Sequence, residues 1–160
     1  MNTIEIREAV ADDSKLIHMF VKDLALYEKA EHEVVATVND IRESVFGGDS
    51  TVKALICNQG NTPIGFAVYF YNYSTWQGRK GLYLEDLYIS PAYRRGGAGR
   101  KLLKYLAGIA VAEGCGRFEW SVLDWNEPAR QFYHSIGAKP KSEWISYQLA
   151  GEALLQFSKG

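Results

Sequence analysis

From Leu82 to Arg100 the chain reads Leu-Tyr-Leu-Glu-Asp-Leu-Tyr-Ile-Ser-Pro-Ala-Tyr-Arg-Arg-Gly-Gly-Ala-Gly-Arg, and no other stretch constrains its fold as much. Aliphatic and aromatic residues dominate Leu82–Ile89, which predicts a buried strand. Pro91 cannot donate to a sheet ladder, so the strand ends before it. Gly96, Gly97 and Gly99 permit backbone conformations in which successive N–H groups converge on one point. A helix opening at Gly99 adds its own unpaired N–H groups and the positive end of its dipole. Arg94, Arg95, Arg100 and Lys101 add full charges. Glycines before a helix would by themselves mark only a tight turn. The strand before them, the helix after and the arginines alongside turn the reading toward a site for phosphate or pyrophosphate. The Gly-Lys-Ser/Thr end of an NTPase phosphate loop is missing after Gly99, and no third glycine stands in the register of a dinucleotide-binding loop.

The other elements follow from periodicity. Thr3–Glu8 predicts a strand. Asp12 or Asp13 is placed to cap a helix whose stripe is Leu16, Ile17, Phe20, Val21, Leu24 and Ala25, closed by Tyr27, Glu28 and Lys29. Thr37-x-x-Asp40 opens a shorter helix that runs to Phe46 and stops at Gly47-Gly48. Val52–Cys57 and Ile64–Tyr73 predict strands around a turn at Asn58–Pro63, and Ser74–Gly81 a loop carrying Trp76. Helix Gly99–Glu113 turns Leu102, Leu103, Leu106, Ile109 and Ala110 to the sheet. Arg117–Leu123 predicts a strand. Asn126 caps a helix from Pro128 to Ile136, which Gly137 stops. Trp144–Leu149 predicts a strand, and Gly151–Phe157 fits a helical turn or an edge strand. The order, βααβββαβαβ, implies an α/β fold with a mixed sheet and helices on both faces. Parallel neighbours that are not continuously paired would splay and admit an extended ligand beside the glycine loop.

At 160 residues, 47% hydrophobic and 23% charged, the chain suits one domain, 1–160, with a sizeable core. A formal net charge of −1 argues against general nucleic-acid binding, which needs a basic face. No run approaches the ~18 apolar residues of a membrane span. Met1–Arg7 lacks a signal pattern, and Cys57 and Cys115 form no Cys-x-x-Cys pair, so a cytoplasmic protein with buried thiols is expected. His18, His32 and His134 show no metal-ligand spacing, so no metal is expected.

Two constellations stand out beyond the loop. Glu85-Asp86 sits in a strand where acids are unusual. In a regular strand only one of the two would face a cleft, whereas a bulge would bring both near it; the plain alternative is an end-of-strand acid paired with Arg79 or Lys80. Asn126 to Tyr133 places a cap and an aromatic hydroxyl on one short helix; a cap and a partly buried tyrosine is the plain reading. Glu28, Glu31, Glu33, Glu119 and Glu143 read as a solvated set, and Trp125 and Trp144 as core residues or as walls for a cationic ligand.

Arg94-x-x-Gly97-x-Gly99 after a strand resembles the acetyl-CoA loop of the GNAT N-acetyltransferases. Leu24-Ala25-x-Tyr27-Glu28, Tyr83-Leu84-Glu85-Asp86 and Trp125-Asn126-Glu127-Pro128 with Phe132-Tyr133 and Gly137-Ala138 resemble the diamine (spermidine/spermine) acetyltransferase branch, as does Trp76 before Gly78. The resemblance covers nearly the whole chain. It implies the GNAT fold, with a mostly antiparallel sheet splayed at the cofactor site, and acetyl transfer to a polyamine or diamine-like primary amine. It implies that Leu87, Tyr88 and Ile89 pair with the pantetheine arm, that Arg94, Arg95, Gly96, Gly97, Ala98, Gly99 and Arg100 form the pyrophosphate loop, and that Asn126, Glu127, Pro128 and Ala129 contact the cofactor arm. Tyr133 then lies by the thioester sulfur as the acid, and Glu85 accepts the amine proton. Acceptor contacts fall on Tyr27, Glu28, Glu85, Asp86, Glu119, Trp120, Ser121 and Glu143. A homodimer is implied, with no nucleic-acid or membrane partner.

The chain departs from the branch at Arg95-Gly96, where glycine then a bulky residue is usual, and in a shorter segment between Gly137 and Trp144. These departures leave other acceptors open: thialysine or a lysine analogue, an antibiotic amine or a peptide amine. A noncatalytic acetyl-CoA-binding regulator is a further alternative.

Overall fold

The computed structural model describes residues 3–160. The chain gathers into two compact units, one ending at Ser121 and one running from Val122 to Gly160.

The first unit is built on a five-stranded sheet in the order β1-β2-β3-β4-β5. β1 (Ile4–Glu8), β2 (Val52–Gln59), β3 (Thr62–Ser74) and β4 (Arg79–Ile89) form an antiparallel meander, and β5 (Phe118–Trp120) joins β4 in parallel. Both hairpins are tighter than the sequence suggests. Gln59 pairs with Thr62 and Ser74 with Arg79, so positions read as loop belong to strands. The strand expected at Arg117–Leu123 shrinks to three residues, because its ladder with β4 ends at Leu84↔Trp120.

α1 (Ser14–Tyr27) and α2 (Val38–Phe46) cover one face. Their stripe residues Ile17, Phe20, Leu24 and Ile41 pack with Ala54, Ile56, Phe66 and Tyr88 of the sheet. The Phe20 and Phe66 rings stack at 5.5 Å, and both side chains are fully buried. Full burial of each such side chain is worth ~1.5–3 kcal/mol. Strand alternation turns Leu55, Cys57, Ala67 and Tyr69 to the opposite face, where α3 (Ala98–Ala112) buries Leu102, Leu103, Leu106 and Ala110. At Gly65 a Cβ would run into the Tyr88 carbonyl, which is why β3 can lie so close to β4 there.

The caps depart from expectation once. Thr37 and Asp40 form the reciprocal box at the start of α2: the Asp40 N–H donates to Thr37 Oγ1 at 3.1 Å, and the Thr37 N–H to the Asp40 carboxylate at 2.8 Å. Asp13 does not cap α1 with its side chain. Its carboxylate is taken by Arg7, at 2.8 and 2.9 Å, and by the Val10 N–H, so the Arg7 guanidinium holds its pKa below the usual carboxylate range.

The second unit contains α4 (Glu127–Ser135) and α5 (Gly151–Ser158). Asn126 Oδ1 accepts the Ala129 N–H at 3.4 Å as the α4 cap. The segment Trp144–Leu149, expected as a strand, pairs with no strand among the described residues. Its alternating pattern specifies an extended chain, but a strand also needs an edge to bond. The ambiguous terminal stretch is the helix α5, so the order ends in a helix rather than a strand.

Candidate active site

The β4 edge opens where β5 ends. Ser90 donates to the Ile64 carbonyl at 2.7 Å, which marks Ile64/Ser90 as a hydrogen-bonded pair of the β3–β4 ladder. Alternation then turns the main chain of Tyr88 and Asp86 toward β3, and that of Leu87 and Ile89 away from it, toward the open edge. An extended ligand would find its backbone partners there.

The glycine loop begins one residue beyond a short turn at Pro91–Tyr93. Arg95 is at φ +69°, Gly97 at φ +85°. Arg95 thus holds the left-handed conformation, at ~1–2 kcal/mol for a residue with a Cβ. The first amide in the α3 ladder is that of Lys101, bonded to the Gly97 carbonyl at 2.9 Å. Helix geometry leaves the N–H groups of Ala98, Gly99 and Arg100 outside the ladder. A Cβ at Gly97 would meet nothing within 4 Å, so the loop is open on that side. Converging amides, arginines and an open mouth suit a pyrophosphate, and the free edge of β4 suits an amide-bearing arm. The residues present therefore fit acetyl-CoA.

The acids meet on β4. Val68 pairs with Asp86 and Tyr69 with Leu84, which leaves Glu85 as the extra residue of a bulge. The bulge re-aims the two carboxylates. Glu85 is exposed, and Asp86 is largely buried on the face that carries Tyr88 and Phe66. Burial, and then the charges of Glu85 and Glu28, push the Asp86 pKa up to about 6. Glu28 follows the last residue of α1, and burial raises its pKa too. Three carboxylates are thus gathered at the end of α1 and the bulge of β4, where the field favours a cation.

The other expected acceptor residues are distributed differently. Glu119 is ion-paired with Arg117 at 3.0 Å. The Trp120 ring lies 4.9 Å from that of Phe118, and the Ser121 hydroxyl is 2.9 Å from that of Tyr83. Tyr83 opens the Tyr83-Leu84-Glu85-Asp86 motif, but the sequence reading gives it no role in the site. In the second unit, Glu143 is 3.7 Å from Lys141. Asn126, Glu127, Pro128, Ala129 and Tyr133 share α4 and its cap, with the Tyr133 ring 5.9 Å from that of Phe132.

Among the described residues no group of three or more His, Cys, Asp or Glu is arranged to hold a metal ion, and no helix is long and apolar enough to cross a membrane.

Comparison with known proteins accords with this geometry. Residues 17–138 match the family model described as the acetyltransferase (GNAT) family. The thialysine N-epsilon-acetyltransferase of Mus musculus is 35% identical over 169 residues, covering 99% of each chain. A spermidine/spermine N(1)-acetyltransferase-like protein of Homo sapiens is 32% identical over 99% of this chain, which spans only 24% of that longer protein. Among solved structures, an integron cassette protein from the mobile metagenome of V. cholerae superposes with a TM-score of 0.80 at 29% identity, over 98% of both chains. A β4 edge unpaired beyond Leu84 beside a glycine loop, a family match across most of the length and full-length acetyltransferase relatives lead to one conclusion: the chain belongs to the GNAT family and is an N-acetyltransferase.

Proposed function

We propose that this enzyme moves the acetyl group of acetyl-CoA to a primary amine of a small polycationic acceptor, of polyamine or diamine type. The observation that carries the reading is the gathering of Glu28, at the end of α1, with Glu85 and Asp86 of the strand that leads into the glycine loop. An acceptor with several ammonium groups gains from each carboxylate. A zwitterionic amino acid brings a carboxylate that the same field repels. A lysine-like acceptor is the second reading, favoured by the name of the mouse relative.

When bound, acetyl-CoA supplies an acetyl group activated as a thioester. The amides of Gly96 to Arg100, with Arg95 and Arg100, would hold the pyrophosphate, and the outward main-chain groups of Leu87 and Ile89 would hold the arm. Asn126 to Ala129 add contacts from α4. An alkylammonium of pKa ~10 is neutral in about one molecule in a thousand at pH 7, so the site needs a proton acceptor. Glu85 takes that role, directly or through water. Asp86 is the alternative base, favoured by a pKa of about 6, closer to working pH than an ordinary carboxylate. Tyr133 would be the group that gives a proton to the sulfur leaving acetyl-CoA. The enzyme works as a cytoplasmic homodimer.

The test is acetyl-CoA consumption against polyamines, thialysine, lysine, ornithine, antibiotic amines and peptides. Polyamines should give the highest kcat/KM. An amino-acid acceptor that outruns them by about tenfold, a difference of ~1.4 kcal/mol in transition-state binding, would overturn the acceptor assignment. Tight acetyl-CoA binding with no turnover on any amine would favour the noncatalytic regulator.

A further inference from the structure

Arg94 opens the glycine-loop motif, yet its exposed side chain turns back onto β4 and α1. Its Nε donates to the Ile89 carbonyl at 2.7 Å. Its guanidinium carbon lies 5.0 Å from the centre of the Tyr27 ring and 5.2 Å from that of Tyr88. These partners belong to two elements, α1 and β4. Ile89 ends β4 at the open edge, Tyr27 ends α1 beside Glu28, and Tyr88 belongs to the core that α1 covers.

A planar guanidinium stacked on rings and bonded through Nε is held in orientation, and a lysine at the same place would have neither the plane nor the Nε donor. We infer that Arg94 is a positioning residue: it fixes the Tyr27–Glu28 corner against the donor strand, and is not the principal charge on the pyrophosphate. The inference rests on the donor and acceptor sides proposed above. It has a second consequence at the open edge. The Ile89 carbonyl, the last outward acceptor of β4, accepts from Arg94, so an added extended ligand would share that acceptor with the guanidinium.

The experiment compares Arg94→Lys, Tyr27→Leu and the double variant in the full chain. Acetyl-CoA affinity is measured by calorimetry, kcat and KM with the best acceptor of the panel, and amide exchange at Lys29 and Ala30. Those two amides bond the Leu26 and Ala25 carbonyls at 3.1 and 2.8 Å, so they report the turn after α1. Arg94→Lys keeps the charge. It should leave acetyl-CoA affinity within about threefold and raise acceptor KM about tenfold, on the scale of two ring contacts. Tyr27→Leu should do the same, and the double variant should be little worse than either single one. Exchange at Lys29 and Ala30 should quicken in Arg94→Lys.

Restoration of wild-type acceptor KM by lysine would overturn the inference, as would a loss confined to acetyl-CoA affinity or unchanged exchange. If the wild-type chain neither binds acetyl-CoA nor acetylates an amine, the functional reading fails instead. The exchange measurement still judges the positioning contact in that case.

Discussion

Asp86 should make the protein less stable as pH rises through the acid range, and Asp86→Asn should remove that dependence. Its pKa stands at about 6 in the folded chain against 3.8 for an ordinary aspartate. Each pKa unit is worth ~1.4 kcal/mol, so the displacement amounts to about 3 kcal/mol at most. The sign follows from proton counting. Below pH ~4 both folded and unfolded chains carry the proton and Asp86 costs nothing. Between pH ~4 and ~6 the folded chain keeps a proton that the unfolded chain has lost, so stability falls as pH rises. Above pH ~6 both are ionised and the full cost persists. Other titrating groups cancel when wild type and Asp86→Asn are compared by urea unfolding from pH 4 to 8. The variant's advantage should be near zero at pH 4, grow to pH 6 and then level off. For a chain of this length 3 kcal/mol corresponds to a melting-temperature difference of ~6–12 °C. A dicationic acceptor should restore ionisation of Asp86 and release a fraction of a proton on binding near pH 6, seen as calorimetric heats that depend on the buffer. An advantage that stays flat across pH would refute the buried-carboxylate argument, and binding without proton release would separate the acceptor from Asp86.

The remaining predictions concern the chemistry. Gly97→Leu should weaken acetyl-CoA binding sharply in a folded protein, since a side chain would stand among the loop amides and φ +85° disfavours it by ~1–2 kcal/mol; calorimetry showing wild-type affinity would remove the loop assignment. Tyr133→Phe should lower kcat more than acetyl-CoA affinity, and turnover within about twofold of wild type, under ~0.5 kcal/mol, would return Tyr133 to a packing role. Glu85→Gln should lose rate most below pH 8 and recover toward the pKa of the amine. A pH–rate profile parallel to wild type, with the loss appearing in Asp86→Asn instead, would transfer the base to Asp86.

The strongest sequence signals were local ones, and they are visible in the structure as local conformations. The stripe Ile17, Phe20, Leu24 and Ala25 and the Thr37–Asp40 box specify their helices through neighbours three and four residues away. Gly97 announces a left-handed turn before α3 for the same reason. Asp13 shows the limit of that logic, because Arg7, six residues back on β1, takes its carboxylate from the helix end. The bulge is the clearest tertiary decision. Glu85-Asp86 announced two acids and left their direction open, because a bulge is a mismatch between strands. Only the register against Val68 and Tyr69 leaves Glu85 out of the ladder and buries Asp86 near Glu28. The motif likewise marked Arg94 as a loop cation, but its rings and its carbonyl come from α1 and β4, which only folding brings together. Trp144–Leu149 has the alternation of a strand and no strand partner among the described residues. A side-chain period is written in the residues themselves, whereas a sheet ladder exists only where another segment presents a free edge.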